Sequence, residues 1–220
     1  MFIGDIVARK SYGADIYFRI TGADKNNEYT LCGLDYRLKV TAPAGDLTPV
    51  TRDNMRVFKR LFQGEIDRKV EDIFLERSQI YPENMKIQPG KVLHLDSDRE
   101  YLNMCLSLYK RLNMPSEGER VDEKEQPQKI TELLIKHMPD ILVITGHDSL
   151  RNSDMADNPI SYKSSGFFID TVKNARLFNP SKDSLIIVAG ACQSYYEALI
   201  DAGANVIKLR FLKSCWKIAK

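Results

Sequence analysis

The sequence holds few of the features that mark several classes of protein. Its four cysteines are widely spaced and form no C-x-x-C pair, so neither a disulfide framework nor a zinc knuckle is indicated. No apolar run approaches the ~18 residues of a membrane span, and residues 1–10 lack the apolar core of a signal peptide. The net charge of only +2 indicates no nucleic-acid or membrane surface. We therefore expect an intracellular protein that needs no metal ion or other cofactor.

The composition is that of a folded chain with one ordinary domain and accessory parts. Hydrophobic residues make up 43% and charged residues 28% of the 220 positions. Changes in hydrophobic periodicity and charge along the chain predict four segments. They are a small β-barrel over residues 1–47, a helical connector over 48–86, an α/β domain over 87–205 and a basic tail over 206–220.

The first two segments differ in their hydrophobic periodicity. Ile16, Phe18 and Ile20 alternate with polar residues between turn-forming stretches, which predicts short strands and an SH3-like barrel. Such a barrel could bind a ligand or simply cover one end of an enzyme, because fold alone assigns no function. A helix is predicted to start at Thr48–Pro49. Its apolar residues recur at helical spacing: Met55, Phe58, Phe62, Ile66, Val70 and Phe74.

The third segment alternates apolar strands with amphipathic helices. Strands are predicted at residues 91–95, near Arg120–Val121, at 140–146 and at 184–190. Ser97 and Glu100 are expected to form a capping box at the start of the first helix. Repeated β-α units with continuously apolar strands predict an α/β fold, with a parallel, flavodoxin-like sheet covered by helices on both faces.

Candidate catalytic residues follow the strands, because sites in open α/β sheets lie at the carboxyl ends of strands. Asp96 and Asp98 follow the first strand, His147 follows the third, and Cys192 follows the fourth. A thiol attacks as the thiolate, which a nearby imidazole or the amino end of a helix favours. Cys192 is expected to have both, namely His147 and a helix starting near Gln193. This combination indicates a catalytic dyad.

The other cysteines and histidines have simpler interpretations. Cysteine is among the residue types most often buried, so Cys32 and Cys105 are interpreted as structural. His94 lies within a predicted strand and His137 on an apolar helix face. Both are interpreted as core or boundary residues rather than as catalysts.

Three motifs resemble those of one peptidase family. They are Gly4–Gly13 (GDIVARKSYG), Ile144–Ser149 (ITGHDS) and Val188–Ala198 (VAGACQSYYEA). Together they resemble the YabG family of sporulation-specific cysteine endopeptidases from spore-forming Firmicutes, and the similarity extends from residue 1 to about Asn205. The catalytic histidine and cysteine of that family correspond to His147 and Cys192.

The resemblance also implies substrates and a place of action. It implies proteolysis of spore coat proteins, coat-morphogenetic proteins and precursors of germination factors. The expected locations are the cytoplasm of the mother cell and the spore coat. A preference for a basic residue such as Arg before the cleaved bond is implied as well, and Asp96 and Asp98 are the candidate acids to bind it.

The arrangement is similar, too, to that of caspase-like peptidases, in which His follows one sheet strand and Cys follows the next. Those enzymes usually have Gly directly after the His, whereas here Asp148 follows and Gly146 precedes. The backbone N–H groups of Cys192 and Asp148 are the first choice as oxyanion donors. The Asp148 side chain could orient the dyad or stabilise its own turn.

The sequence departs from the family pattern after Asn205. Residues 206–220 hold five basic residues and no acidic one, and they do not resemble the family's continuation. We expect a truncated or frame-shifted product with weak or no peptidase activity, because substrate positioning supplies a large share of catalytic rate.

Two functions of other classes stay open. The pair Asp96 and Asp98 at a strand end could hold Mg²⁺ in a phosphate-handling enzyme of the haloacid-dehalogenase type, although no acidic pair follows a later strand. Alternatively, the chain could be a non-enzymatic spore coat component that binds through its barrel and its basic tail. Sensitivity to iodoacetamide separates the cysteine peptidase from both alternatives.

Overall fold

The structure, a computed structural model, describes residues 1–24, 27–34, 38–81, 88–151 and 158–205. The basic tail and its predicted role lie outside these residues. The chain divides into two units, one holding the described residues up to 81 and the other those from 88 to 205. The described part of the predicted helical connector, residues 48–81, thus falls in the same unit as the strands that precede it.

In the first unit, alternating apolar residues form a five-stranded antiparallel sheet of order β4-β3-β2-β1-β5. Its strands are β1 (Ile6–Arg9), β2 (Tyr17–Ala23), β3 (Glu28–Gly33), β4 (Lys39–Pro43) and β5 (Leu47–Pro49). Val7, Phe18, Ile20 and Leu31 are buried together in its core. In this order β4 and β5 are the two edges of the sheet, and the SH3-like barrel stays a prediction.

Helix α1 (Arg52–Ile80) follows the sheet and belongs to the same unit. The side chain of Thr51 caps it by accepting a hydrogen bond from the backbone N–H of Asn54 at 3.1 Å. The predicted start at Thr48–Pro49 is therefore wrong, because these residues pair with β1 as part of β5. Of the predicted apolar stripe, Val70 is buried. No described helix, α1 included, combines the length and the hydropathy that a bilayer-spanning segment requires.

The second unit contains a four-stranded sheet of order β7-β6-β8-β9 in which all strands are parallel. The predicted α/β fold with a parallel sheet is confirmed for the described residues. The strands are β6 (Val92–Asp96), β7 (Ser116–Arg120), β8 (Ile141–Ile144) and β9 (Ile186–Ala189). The helices are α2 (Arg99–Arg111), α3 (Gln126–His137), α4 (Ser165–Phe178) and α5 (Tyr196–Asp201).

Helices cover both faces of this sheet, as the continuously apolar strands predict. Leu142 and Ile187 belong to one buried cluster, which they share with residues of α3, α4 and α5. Val143 and Val188, the next residues along the same strands, join a second cluster that includes Tyr109 of α2. Because side chains alternate between the faces of a strand, the two clusters lie on opposite sides of the sheet.

The strand order puts a topological switch point between β6 and β8. The chain runs from β6 to the edge strand β7 and then returns to the other side of β6 to form β8. In open α/β sheets, ligands bind beyond the carboxyl ends of the strands at such a point. The residues that follow β6 and β8 are therefore the first to consider for a functional site.

Asp98 caps α2, and Ser97 does not. Asp98 Oδ1 accepts hydrogen bonds from the backbone N–H groups of Glu100 and Tyr101, at 2.9 and 3.3 Å. The predicted capping box is wrong because the N-cap of α2 is Asp98 and not Ser97. Ser97 Oγ instead donates to Glu123 Oε1 at 2.6 Å. This cap sets the Asp98 carboxylate between the end of β6 and the start of α2.

Candidate active site

Three of the predicted site residues occupy matching positions beyond neighbouring strands. The last residue pairs of the register are Leu95↔Ile144 and Ile144↔Ala189. Each site residue follows one of these paired residues by three positions: Asp98, His147 and Cys192. Because neighbouring strands lie about 4.8 Å apart, the three loops start from adjacent points at one edge of the sheet.

The His147 ring is held through one nitrogen, while the other nitrogen has no partner. His147 Nε2 lies 3.2 Å from Asp98 Oδ2, and the ring meets the Tyr101 ring edge-on with centroids 6.2 Å apart. In the described part of the chain, His147 Nδ1 is buried and has no hydrogen-bond partner. An unpaired buried nitrogen is unfavourable in a folded protein, so this atom is suited to meet a group that takes part in chemistry.

The Asp98 carboxylate is ionised at neutral pH. The hydrogen bond from His147 is the largest of the effects that lower its pKa to about 2, and the N–H groups of Tyr101 and Glu100 lower that pKa further. Partial burial opposes the shift without reversing it. The site therefore carries a fixed negative charge beside His147.

Asp96 is built into the interior of the sheet. It is fully buried, and its Oδ2 accepts a hydrogen bond from Thr145 Oγ1 at 2.7 Å. Thr145 Oγ1 also lies 2.8 Å from Nε2 of the buried His94, whose Nδ1 lies 3.0 Å from the Tyr109 hydroxyl. The interpretation of His94 as a core residue is confirmed. Asp96 exposes no surface to a substrate here, and the binding of a basic side chain by Asp96 and Asp98 stays a prediction.

Glu123 is a site residue that the sequence alone did not reveal. Its Oε1 accepts hydrogen bonds from the backbone N–H of His147 and from Ser97 Oγ, each at 2.6 Å. It lies just beyond the carboxyl end of β7, so the strand-end rule that singles out the other residues would have found it. The signal is weak because β7 reads Ser-Glu-Gly-Glu-Arg, a polar sequence that hardly indicates a strand.

Gly146 allows Glu123 to approach the backbone of His147. A Cβ atom at position 146 would lie 2.5 Å from Glu123 Oε1 and 2.7 Å from Glu123 Cγ. Any side chain there would push Glu123 away from its two hydrogen-bond donors. The glycine that precedes the histidine thus has a local packing reason.

The Asp148 carboxylate links the loop after β8 to the loop that carries Cys192. Its Oδ2 accepts hydrogen bonds from Ser194 Oγ at 2.9 Å and from Ser165 Oγ at the start of α4. Ser194 Oγ accepts in turn from the backbone N–H of Ala191 at 2.9 Å. These bonds hold the chain on both sides of Cys192. They favour turn stabilisation over orientation of the dyad as the role of the Asp148 side chain.

The Cys192 loop starts with a glycine in the left-handed region of backbone conformation. Gly190 has φ +113°, which residues with a side chain rarely adopt. Residues 191–194 then close a turn, in which the backbone N–H of Ser194 donates to the Ala191 carbonyl at 3.4 Å. Because of this turn, α5 starts at Tyr196. The prediction of a helix starting near Gln193, directly behind Cys192, is wrong.

The backbone N–H groups of His147 and Asp148 have different surroundings. That of His147 itself donates to Glu123, whereas that of Asp148 has no acceptor among the described residues. Cys192 is half-buried. The predicted oxyanion donors therefore belong to two loops that the carboxylate of Asp148 ties together.

His137 and Cys105 are consistent with their structural interpretation, whereas the structural role of Cys32 stays a prediction. His137 Nε2 lies 3.0 Å from Glu119 Oε1. Cys105 packs against the buried cluster of Val92, Tyr109 and Val143, and Cys32 is half-buried in β3.

The fold and the residues at its strand ends define the chemical class. A parallel α/β unit with a histidine, a cysteine and an ionised carboxylate at one sheet edge is equipped for acid–base and nucleophilic chemistry, as in hydrolases. The family described as YabG peptidase U57 matches residues 2–208 of the chain. The chain therefore belongs to the YabG family and is a peptidase.

Sequence similarity to a protease of Bacillus subtilis supports the same assignment. The sporulation-specific protease YabG of Bacillus subtilis (strain 168) is 40% identical over 221 residues, which cover 92% of this chain and 76% of the relative. The resemblance indicated by the three sequence motifs is confirmed. Membership in this family supports a peptidase that acts in sporulation.

Replacement of Gly146 by Ala is expected to lower kcat/KM about 10²-fold, because a shift of ~1 Å near the reacting groups can have that effect. The measurement is cleavage of a protein substrate by purified variants, with thermal unfolding to monitor the fold. Gly166→Ala is the matched control, since a Cβ there meets no atom within 4 Å and Ala favours a helix. Activity of Gly146→Ala equal to that of the control would contradict the role of the Gly146–Glu123 contact.

Proposed function

We propose that the protein is a cysteine endopeptidase in which Cys192 is the nucleophile and His147 the general base and acid. The observation that carries this proposal is the parallel register that pairs Ile144 with Ala189. His147 lies three residues after Ile144, and Cys192 lies three residues after Ala189. The two loops therefore start about one strand spacing apart, which supports proton transfer from the thiol to the imidazole.

The reaction follows from these two roles. Cys192 Sγ gives its proton to His147, and the thiolate attacks the carbonyl carbon of the peptide bond. The tetrahedral intermediate collapses as the C–N bond breaks, and His147 gives the proton to the leaving amine. Water then attacks the thioester with His147 as the base. The carboxylic acid leaves, and the thiol recovers its proton.

The oxyanion of the two tetrahedral intermediates needs fixed hydrogen-bond donors. The backbone N–H groups of Cys192 and Asp148 are the proposed pair, since preorganised donors of this kind stabilise the transition state strongly. The hydrogen bonds of the Asp148 carboxylate to Ser194 and Ser165 support a rigid arrangement of both loops. The order of the site, with His after one strand and Cys after the next, is that of caspase-like peptidases.

The proposed substrates are spore coat and coat-morphogenetic proteins, cleaved in the mother cell of the sporulating cell. Support comes from the family and from the relative named as a sporulation-specific protease. The same membership favours a peptidase over the Mg²⁺-dependent phosphate enzyme and the non-enzymatic coat component. The buried Asp96 and its hydrogen bond from Thr145 also leave the Mg²⁺ alternative without support.

Iodoacetamide is expected to inactivate the peptidase in proportion to alkylation of Cys192, because the alkylated side chain is a thioether and cannot form the thiolate that attacks the peptide bond. Cleavage of coat extract and mass mapping of the label are followed in the same samples. The Cys105→Ala variant serves as the control and should be inactivated at the wild-type rate. Cleavage that persists after Cys192 is fully alkylated, or that requires Mg²⁺, would overturn the proposed mechanism.

A further inference from the structure

We propose that Asp98 is a positioning residue that sets the tautomer and the orientation of His147, so that Nδ1 receives the proton of Cys192. The inference rests on the proposed cysteine peptidase function and adds a third residue to it. His147 follows β8, the strand that lies between β6 and β9 in the sheet. Asp98 follows β6, and Cys192 follows β9. His147 therefore lies between two loops that approach it from opposite sides.

The Asp98 carboxylate is fixed independently of His147. Its Oδ1 accepts hydrogen bonds from two backbone N–H groups at the start of α2, those of Glu100 and Tyr101. Its own backbone N–H donates to Oδ1 of the buried Asp96 at 2.8 Å. The remaining oxygen, Oδ2, is the one that meets His147. The cap therefore aims this oxygen, and no rearrangement is needed when the imidazole becomes charged.

This contact selects one tautomer of the neutral imidazole. An ionised carboxylate only accepts hydrogen bonds, so His147 Nε2 carries the hydrogen in the 3.2 Å contact with Asp98 Oδ2. The lone pair is then on Nδ1, the buried atom that has no partner among the described residues. When Nδ1 takes the thiol proton, the negative charge of Asp98 stabilises the imidazolium.

Two other ionisable groups face His147 within the unit, and neither bonds a ring nitrogen there. Glu123 accepts from the backbone N–H of His147, and Tyr101 meets the ring edge-on. Within this unit, Asp98 is the carboxylate that bonds a ring nitrogen of His147.

Two substitutions separate this role from the capping of α2. Asn at position 98 keeps the cap, since its amide oxygen can accept from the same two N–H groups. Its NH₂ group then faces His147 Nε2, which favours the tautomer with the hydrogen on Nδ1 and removes the proton acceptor. Ser at position 98 also caps a helix, but it is too short to bias the ring toward either tautomer.

Asp98→Asn is expected to lower kcat about 10²-fold with a smaller change in KM, and Asp98→Ser is expected to lose less. In Asp98→Asn the midpoint of Cys192 alkylation by iodoacetamide should also move to higher pH, because the imidazolium that supports the thiolate is less stable. Cleavage of a coat-derived peptide, alkylation rates across pH and thermal unfolding are measured on the full chain. Asp170→Asn, a change at an exposed carboxylate on α4, is the control.

The proposal is overturned if Asp98→Asn has the kcat and the alkylation profile of Asp170→Asn. It is also overturned if Asn and Ser variants lose activity equally with unchanged alkylation profiles, since this is the behaviour of a structural cap. If Asp98→Asn does not fold, a normal alkylation midpoint in Asp98→Ser overturns it as well. Failure of the peptidase proposal is distinct, because cleavage would then survive complete alkylation of Cys192 in the wild-type chain.

Discussion

The Cys192→Ala variant is expected to cleave coat proteins at no more than background rate, a loss of about 10⁴-fold or more. The attacking sulfur forms the covalent intermediate, and removal of a nucleophile leaves only the residual effect of binding and oxyanion donors. Cys192 is half-buried in a loop that the hydrogen bonds between Ala191 and Ser194 and between Ser194 and Asp148 hold in place. The change should therefore leave the fold intact. Product formation from coat extract of a strain that lacks the peptidase is the measurement.

The Cys105→Ala variant is the matched control for this experiment. Cys105 packs against the Val92, Tyr109 and Val143 cluster, so its replacement should lower the free energy of unfolding by about 1 kcal/mol and leave kcat unchanged. Thermal unfolding and cleavage rates of both variants are compared at one temperature well below the transition. Clear cleavage by Cys192→Ala, at a tenth of the wild-type rate for instance, would show that another group is the nucleophile.

The His147→Ala variant is expected to lose about 10²- to 10⁴-fold in kcat, the range in which general acid–base catalysis contributes. The ring supplies Nδ1, the buried nitrogen without a partner in the described chain. Its loss should also slow alkylation of Cys192 near neutral pH, because the thiolate loses its counter-ion. Imidazole groups change charge between about pH 5 and 8, so the wild-type cleavage profile should contain a limb in this range. That limb should be absent from the variant.

The His137→Ala variant is the control, since His137 is the last residue of α3 and contacts Glu119 of β7. It should change stability slightly and leave the pH profile of cleavage unaltered. His94→Ala is a poorer control because His94 is buried and bonded to Thr145 and Tyr109. Its loss leaves polar groups unpaired in the core and should lower stability strongly. A wild-type pH profile without any limb between pH 5 and 8 would contradict the pairing of His147 with Cys192.

The sequence allowed the α/β fold of the second unit to be predicted because strands buried on both faces must be apolar throughout. Residues 141–144 and 186–189 are of this kind, and both form parallel strands. The strand β7 is harder to predict because its sequence is polar. The role of Glu123 beyond it was missed for the same reason.

The residue that caps a helix depends on tertiary contacts that the sequence pattern does not show. Ser97 and Glu100 satisfy the pattern of a capping box, yet Ser97 donates to Glu123, which is 26 residues away in the chain. Asp98 takes the cap in its place. Likewise the helix after Cys192 starts late because the turn at residues 191–194 and the Asp148 carboxylate hold the chain in another conformation.

The sequence by itself determined which residue types follow each strand, and hence that Asp98, His147 and Cys192 are candidates at one sheet edge. Hydrophobic periodicity is local, and it is enough to locate the apolar strands and their ends. Only the tertiary structure decided the partners: Asp98 with Nε2 of His147, Glu123 with its backbone, and Asp148 with Ser194. These contacts join residues that lie 24 to 49 positions apart. Side-chain hydrogen bonds require contact within about 3 Å, and sequence spacing carries no information at that scale.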